Sequence, residues 1–205
     1  MSDGAGMPRD ELPLLTFADA DSLRRWLEEQ GETSPGAWLR FAKEGAPEPT
    51  VSKSDAIDCA LAYGWVDGQL GGLDAHYFKT RFSPRRPKSA WSQINCQKVE
   101  QLEQAGRLHP RGRAQVDQAK ADGRWAAAYA GQSKAAPDAD LEAALDAEPA
   151  ARALFDALDS ANRYAILYRA HQARTPEKRA AKIAELVDML SRGDTIHPRR
   201  AKRSS

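Results

Sequence analysis

The residues best suited to hold a ligand lie close together in the chain. Trp65, Asp67, Tyr77, Arg81, Arg85, Arg86, Ser89, Trp91, Ser92 and Asn95 all fall between positions 65 and 95. They combine flat aromatic faces with hydrogen-bonding groups. Arg81, Arg85 and Arg86 lead, because a guanidinium presents a planar fork of donors that matches phosphate or carboxylate oxygens two at a time. Strand alternation would place Lys79, Arg81 and Ser83 on one face. Arg85 and Arg86 stand between Pro84 and Pro87, which hold the chain extended. Ser89, Ser92 and Asn95 are spaced i, i+3, i+6. A helix starting near Ser89 would turn its free N–H groups toward the arginines, an arrangement that suits an anion. The same residues have plainer uses. The arginines can pair with acids on a solvated loop, Ser89 can simply cap its helix, and Trp91 can anchor a core.

Catalysis is less well supported by the residue types. Asp67, before Gly68, could serve as a general base only if burial raised its pKa; an Asp before Gly more often shapes a turn or pairs with an arginine. Asp74 and His76 would share a face of a regular strand beside Tyr77, but no Gly-x-Ser-x-Gly nucleophile motif accompanies them. The four histidines are scattered and lack the i, i+4 spacing of a zinc helix, so no metal is expected. No Walker loop and no Gly-x-Gly-x-x-Gly occurs, so no nucleotide or other cofactor is expected either. Cys59 and Cys96 are too few for a disulfide framework and read as inert thiols.

The elements that must position these residues can be read from capping and periodicity. Leu12–Phe17 is a short apolar run that could form a strand. Asp19 or Asp21 can cap a helix ending at Gly31, and Ala37–Lys43 alternates as a strand with Trp38 apart from Leu39 and Phe41. Ser52–Asp55 has the form of a capping box for a helix ending at Gly64. Trp65–Leu70 and Leu73–Phe82 read as two strands joined by a Gly71–Gly72 turn. From Trp91 the period becomes helical, and a second helix starts at Pro110. Beyond residue 138 the pattern is helical throughout, with Thr175 and Pro176 opening the last helix and Gly193 following it. The expected fold class is therefore α+β, a small antiparallel sheet with packed helices followed by an all-helical C-terminal part. The expected division is a flexible N-terminus over 1–11, an α+β domain over 12–131, a linker over 132–138, a helical domain over 139–195 and a basic flexible tail over 196–205.

Charge is distributed unevenly. Lys79–Arg113 contains nine basic and two acidic residues, and Arg199–Arg203 adds four more basic ones, within a chain of net charge +1. The remaining residues are therefore acidic, a polarity that bears on partners and not on fold. No apolar run is long enough to cross a bilayer and the first residues do not have the form of a secretory signal, which makes the cytoplasm the expected location.

The order of these features resembles the YdeI/OmpD-associated, or bacteriocin-protection, family. The resemblance rests on Trp38-Leu39-Arg40 with Lys43 and Gly45, on Ala60–Gly68, on Arg81–Arg86, on Ser89-x-Trp91-Ser92-x-x-Asn95 and on Gly106-Arg107-Leu108. It continues through Asn162–Leu167, Ala173–Arg179 and Leu190–Pro198, so it spans about residues 12–198. It implies a role in tolerating bacteriocins or cationic antimicrobial peptides, and it supplies no reaction, cofactor or catalytic residue. Three functions fit the residues: a cytoplasmic protein binding an anionic small molecule or acidic partner at the Arg/Trp corner, a nucleic-acid-binding protein using the basic segment and tail, and an enzyme with Asp67 or Asp74/His76 as acid or base.

Overall fold

The computed structural model describes residues 11–131, 135–173 and 175–198. The segment expected to be a flexible N-terminus lies almost wholly outside them, as do Arg199–Ser205 of the expected basic tail. The chain divides into two compact units, Met1–Ala128 and Tyr129–Ser205. The fold is α+β as expected, with one small sheet in the first unit and, among the described residues, helices without a strand in the second.

The first unit is built on strands β1 (Leu14–Leu15), β2 (Ala37–Ala42), β3 (Trp65–Gly72) and β4 (Tyr77–Pro84), in the spatial order β1-β2-β4-β3. Three of them pair antiparallel, but β1 runs parallel to β2, so the sheet is mixed and not purely antiparallel. The intervening helix α1 (Ala20–Gln30) carries the chain back before β2 begins, which is what a parallel neighbour requires. Asp19 caps α1 by accepting from Ser22 N, and the Ser22 hydroxyl completes the capping box. Helix α2 (Lys53–Ala62) is capped by Ser52, and Gly64 follows with φ +78, a conformation that costs a side chain but not glycine. That turn feeds Trp65 directly into β3.

Helices α1 and α2 pack on one face of the sheet. Leu23 and Leu27 from α1, and Ala56, Cys59 and Ala60 from α2, meet Ala37, Leu39, Phe41, Trp65 and Phe82 in one buried cluster. Alternation along β2 and β4 then sends Trp38, Arg40, Tyr77, Lys79 and Arg81 to the opposite face. A second cluster joins the end of α2 to helices α3 (Gln93–Gln104) and α4 (Pro110–Ala121) through Leu61, Trp91, Val99, Leu102 and Val116. Gly112 lets α4 approach α2 closely: a methyl group there would lie 2.2 Å from the Ala62 carbonyl oxygen.

The second unit contains α5 (Ala139–Asp146), α6 (Pro149–Ala157), α7 (Ser160–Gln172) and α8 (Pro176–Ser191). Its core is formed by Leu141, Leu145, Phe155, Ile166, Leu167, Ile183, Leu186 and Leu190. Helices of this length are marginal alone and are stabilised by this mutual burial. After α8 the chain is held by buried Asn162, whose amide accepts from His197 N and donates to His197 O.

Two local expectations are corrected. The β3–β4 turn is not at Gly71–Gly72, which remain paired with Lys79 and Phe78. It is made by Leu73–His76, where Asp74 Oδ1 accepts from His76 N and Tyr77 N. A side chain that satisfies two backbone donors fixes a turn more firmly than glycine, which only permits one. Helix α3 starts at Gln93, not near Ser89. Ser92, with extended backbone, accepts from Asn95 N and is the cap.

Candidate functional site

The ten residues singled out between Trp65 and Asn95 do not form one corner. Trp65 is buried on the helix-covered face, donating its indole N–H to the Gly31 carbonyl at 3.0 Å and meeting Trp26 edge-on. Asp67 lies opposite Phe82 in the β3–β4 register and so belongs to that same face. Tyr77 and Arg81 lie on the other face. Arg85, Arg86 and Ser89 belong to the loop after β4, and Trp91, Ser92 and Asn95 to the start of α3.

Arg85 is buried against the α2–α3–α4 cluster. Its guanidinium stacks over the Trp91 ring at 3.6 Å and donates from Nη1 to the Ala90 carbonyl at 3.1 Å. Arg124, which the sequence reading did not single out, does the complementary job. It is 3 % exposed, donates from Nε to Asp122 and from Nη1 to the Ser89 carbonyl at 2.9 Å. Within the loop, Ser89 Oγ accepts from Arg86 N, and Ser89 N donates to the Arg86 carbonyl. Ser89 is thus engaged in a turn around Pro87, which is why it does not cap α3. Two buried guanidinium groups hold the segment from Arg85 to Ala90, and Arg86 and Lys88 remain exposed on its outside. Nothing in the sequence around Arg124 marks its role, since a single arginine before Trp125 has no periodic partner.

The basic segment is likewise dispersed. Lys98 pairs with Asp58, Arg111 with Glu28 and Arg113 with Glu103. The cations that do come together are Arg40, Lys79 and Arg81, on the sheet face away from α1 and α2. Arg40 is directly opposite Lys79, and Trp38 is directly opposite Arg81. Like charges facing each other across strands repel. Here aromatic rings offset that repulsion: Arg40 lies 3.6 Å over the Tyr77 ring and Lys79 Nζ 4.6 Å over the Trp38 ring. Tyr77 is itself fixed by its hydroxyl, which donates to Glu48 O and accepts from Glu48 N. The neighbouring strand supplies room. A methyl group at Gly68 would sit 3.2 Å from Arg81 Nη2, and one at Gly71 3.5 Å from Lys79 Cε, so both long side chains lie across glycine positions of β3. Glu48 Oε2 reaches Arg40 Nη2 at 3.5 Å but is largely exposed, the sort of pair that contributes little. Among the described residues Lys79 forms no ion pair.

This face can hold an anion by charge and by directed N–H donors, with each cation set over a ring or a glycine floor before any ligand arrives. Alternation in the sequence places Arg81 with Lys79, and Trp38 with Arg40. The register that brings the two pairs side by side is a tertiary fact.

The catalytic alternatives are not assembled. Asp74 and His76 stand in the turn, not on a strand face, and the Asp74 carboxylate is engaged with the backbone N–H groups of His76 and Tyr77, which hold its pKa below the usual value. Arg85 follows the opposite end of β4, nine residues from His76 and so about 30 Å along an extended strand. Asp67 faces the helices while Arg81 faces away from them. Burial raises the Cys59 thiol and pushes that of Cys96 up to about 11, the condition of inert cysteines. Among the described residues no three His, Cys, Asp or Glu side chains are grouped to hold a metal, and no helix is long and apolar enough to cross a membrane.

Residues 134–193, within the second unit, match the family described as Bacteriocin-protection, YdeI or OmpD-Associated. Residues 15–115 match a Domain of unknown function (DUF8412). The named family is therefore supported over the helical unit, while the Gly64–Asn95 motif falls in the domain without an assigned function. No curated protein and no solved structure matches the chain.

Proposed function

We propose that the protein binds a compact phosphate-bearing anion across the basic face of its sheet, and that it acts in the cytoplasm in tolerance of bacteriocins or related envelope stress. The physiological part of this reading rests on the family match of residues 134–193. Two free, buried cysteines accord with a reducing compartment. The binding part rests on one observation: Arg40 and Lys79 are register partners on the sheet face that also carries Arg81, and each of the two is packed on an aromatic ring. Three cations share this sheet face with the largely exposed Glu48 beside Arg40, and an anion on the face would neutralise the remaining positive charge. Binding without chemistry is favoured because Asp67, His76 and Arg85 do not converge.

Thermal unfolding with inorganic pyrophosphate, or with a single-stranded oligonucleotide, tests this reading. A ligand at ten times its Kd stabilises by about 1.4 kcal/mol, roughly 3–5 °C for a unit of this size. Pyrophosphate is expected to give such a shift with the unaltered protein and less than half of it with Lys79→Ala or Arg40→Gln. Gly68→Leu, which removes no charge but displaces Arg81, should also reduce it. Equal shifts in all four proteins would refute the site. Stabilisation by the oligonucleotide alone would put nucleic-acid binding in its place.

A further inference from the structure

Arg40 does not stand alone on the basic face. Its Nη2 lies 3.5 Å from Oε2 of Glu48, whose side chain is 78 % exposed. The carboxylate is open to solvent, but the backbone that carries it is fixed. Pro47 and Pro49 flank Glu48, and a residue before proline is confined to extended conformations. The Tyr77 hydroxyl accepts from Glu48 N at 3.2 Å and donates to Glu48 O at 3.3 Å. At the two ends of this loop, Lys43 N donates to the His76 carbonyl and Thr50 Oγ1 accepts from Ala42 N. Tyr77 therefore acts twice. Its ring carries the Arg40 guanidinium at 3.6 Å, and its hydroxyl holds the residue that offers that guanidinium a carboxylate.

An exposed pair of this kind stabilises the fold little. Its consequence is for ligand binding. An anion that takes the Arg40 fork must displace a carboxylate already tethered beside it. A tethered group acts at an effective concentration in the millimolar range. A free monocarboxylate offers Arg40 nothing that Glu48 does not, and at lower concentration it loses the competition. A diphosphate offers more, because one phosphate replaces Glu48 while the other engages Lys79, the register partner of Arg40, or Arg81. We infer that Glu48 is a built-in competitor for the sheet-face anion site, placed by Tyr77, and that it sets a threshold which a diphosphate passes and a lone carboxylate does not. The inference rests on the sheet-face reading and adds the residue that regulates that site.

The test is isothermal titration of the full chain with pyrophosphate at constant total salt. Glu48→Gln is expected to bind about three-fold more tightly than the unaltered chain, the size of an exposed ion pair. Glu44→Gln removes the same charge from the same loop, at an exposed residue that makes no ion pair among the described residues. It should bind as the unaltered chain does. Tyr77→Phe keeps the ring under Arg40 and loses only the hydroxyl. It should bind about two-fold more tightly in spite of its lost hydrogen bonds, whereas a purely structural tyrosine would weaken binding when altered. Combined with Glu48→Gln it should add nothing further. Exchanging about 10 mM chloride for acetate should leave the isotherm of the unaltered chain in place. No binding by the unaltered chain would remove the sheet-face site, and this inference with it. The inference alone would be overturned if the unaltered chain bound but Glu48→Gln bound no more tightly, if Glu44→Gln gave the same gain, if Tyr77→Phe weakened binding, if the two gains added, or if acetate displaced pyrophosphate.

Discussion

At the scale of single residues, the arginines of this chain separate into two kinds. Arg85 and Arg124 are interior groups that tie the segment from Arg85 to Ala90 to the α2–α3–α4 cluster, whereas Arg40 and Arg81 lie on the outer face of the sheet. The sequence distinguishes them poorly, because a guanidinium serves equally well to stack on a buried indole or to hold an anion. Their surroundings decide, and those come from tertiary packing. Arg124→Met tests the interior role: it keeps the bulk and loses the bond to the Ser89 carbonyl. A loss of about 2 kcal/mol is expected, read as a lower denaturant midpoint by tryptophan fluorescence, with faster amide exchange at residues 86–90. An unchanged midpoint would show that Arg124 is not a structural tie.

At the scale of elements, most of the secondary structure was legible because capping is a local matter. Asp19, Ser52 and Thr175 cap the helices that the sequence assigns to them, and Pro110 and Pro176 occupy first turns. The errors arise where two local solutions compete. Gly71–Gly72 could have turned, but Asp74 satisfies two donors at once and the glycines stay paired in the strand, Gly71 under Lys79. Ser89 could have capped α3, but its hydroxyl is engaged with Arg86 N and Ser92 takes the cap. The parallel placement of β1 had no signal in its own residues. Close approach of α2 and α4 is a further constraint invisible to periodicity. Gly112→Ala would place a methyl group 2.2 Å from the Ala62 oxygen, so the helices must separate. The cost is expected to be about 3 kcal/mol, and all five tryptophans lie in the first unit, so their fluorescence reports its unfolding. A midpoint shifted by less than a third of that would mean the contact yields easily.

At the scale of the whole molecule, the chain is two units with separate cores, and its charge polarity in sequence does not survive folding as one basic patch. Lys98, Arg111 and Arg113 pair with acids of their own unit, and only the cross-strand register concentrates positive charge. In the second unit electrostatics act across helices. Arg179 of α8 holds the carboxyl of Asp140, at the start of α5, down to about 2. An unfolded aspartate titrates near 3.9, so the unfolded chain takes up the proton first. The contribution of this pair is therefore complete above about pH 4 and is lost as the pH falls through 2. Arg179→Gln should flatten the acid limb of stability between those values, measured as urea midpoints by circular dichroism. An identical limb in both proteins would remove Arg179 as its cause.

Isothermal titration of the full chain with pyrophosphate tests the sheet-face site most directly. The expected result is one saturable site whose affinity falls as salt rises, at least ten-fold weaker in Lys79→Ala and in Arg81→Gln and unchanged in Arg86→Gln, which removes a cation from the exposed loop instead. Binding that survives loss of Lys79 and Arg81 but vanishes with Arg86 would place the anion on the loop and contradict the account.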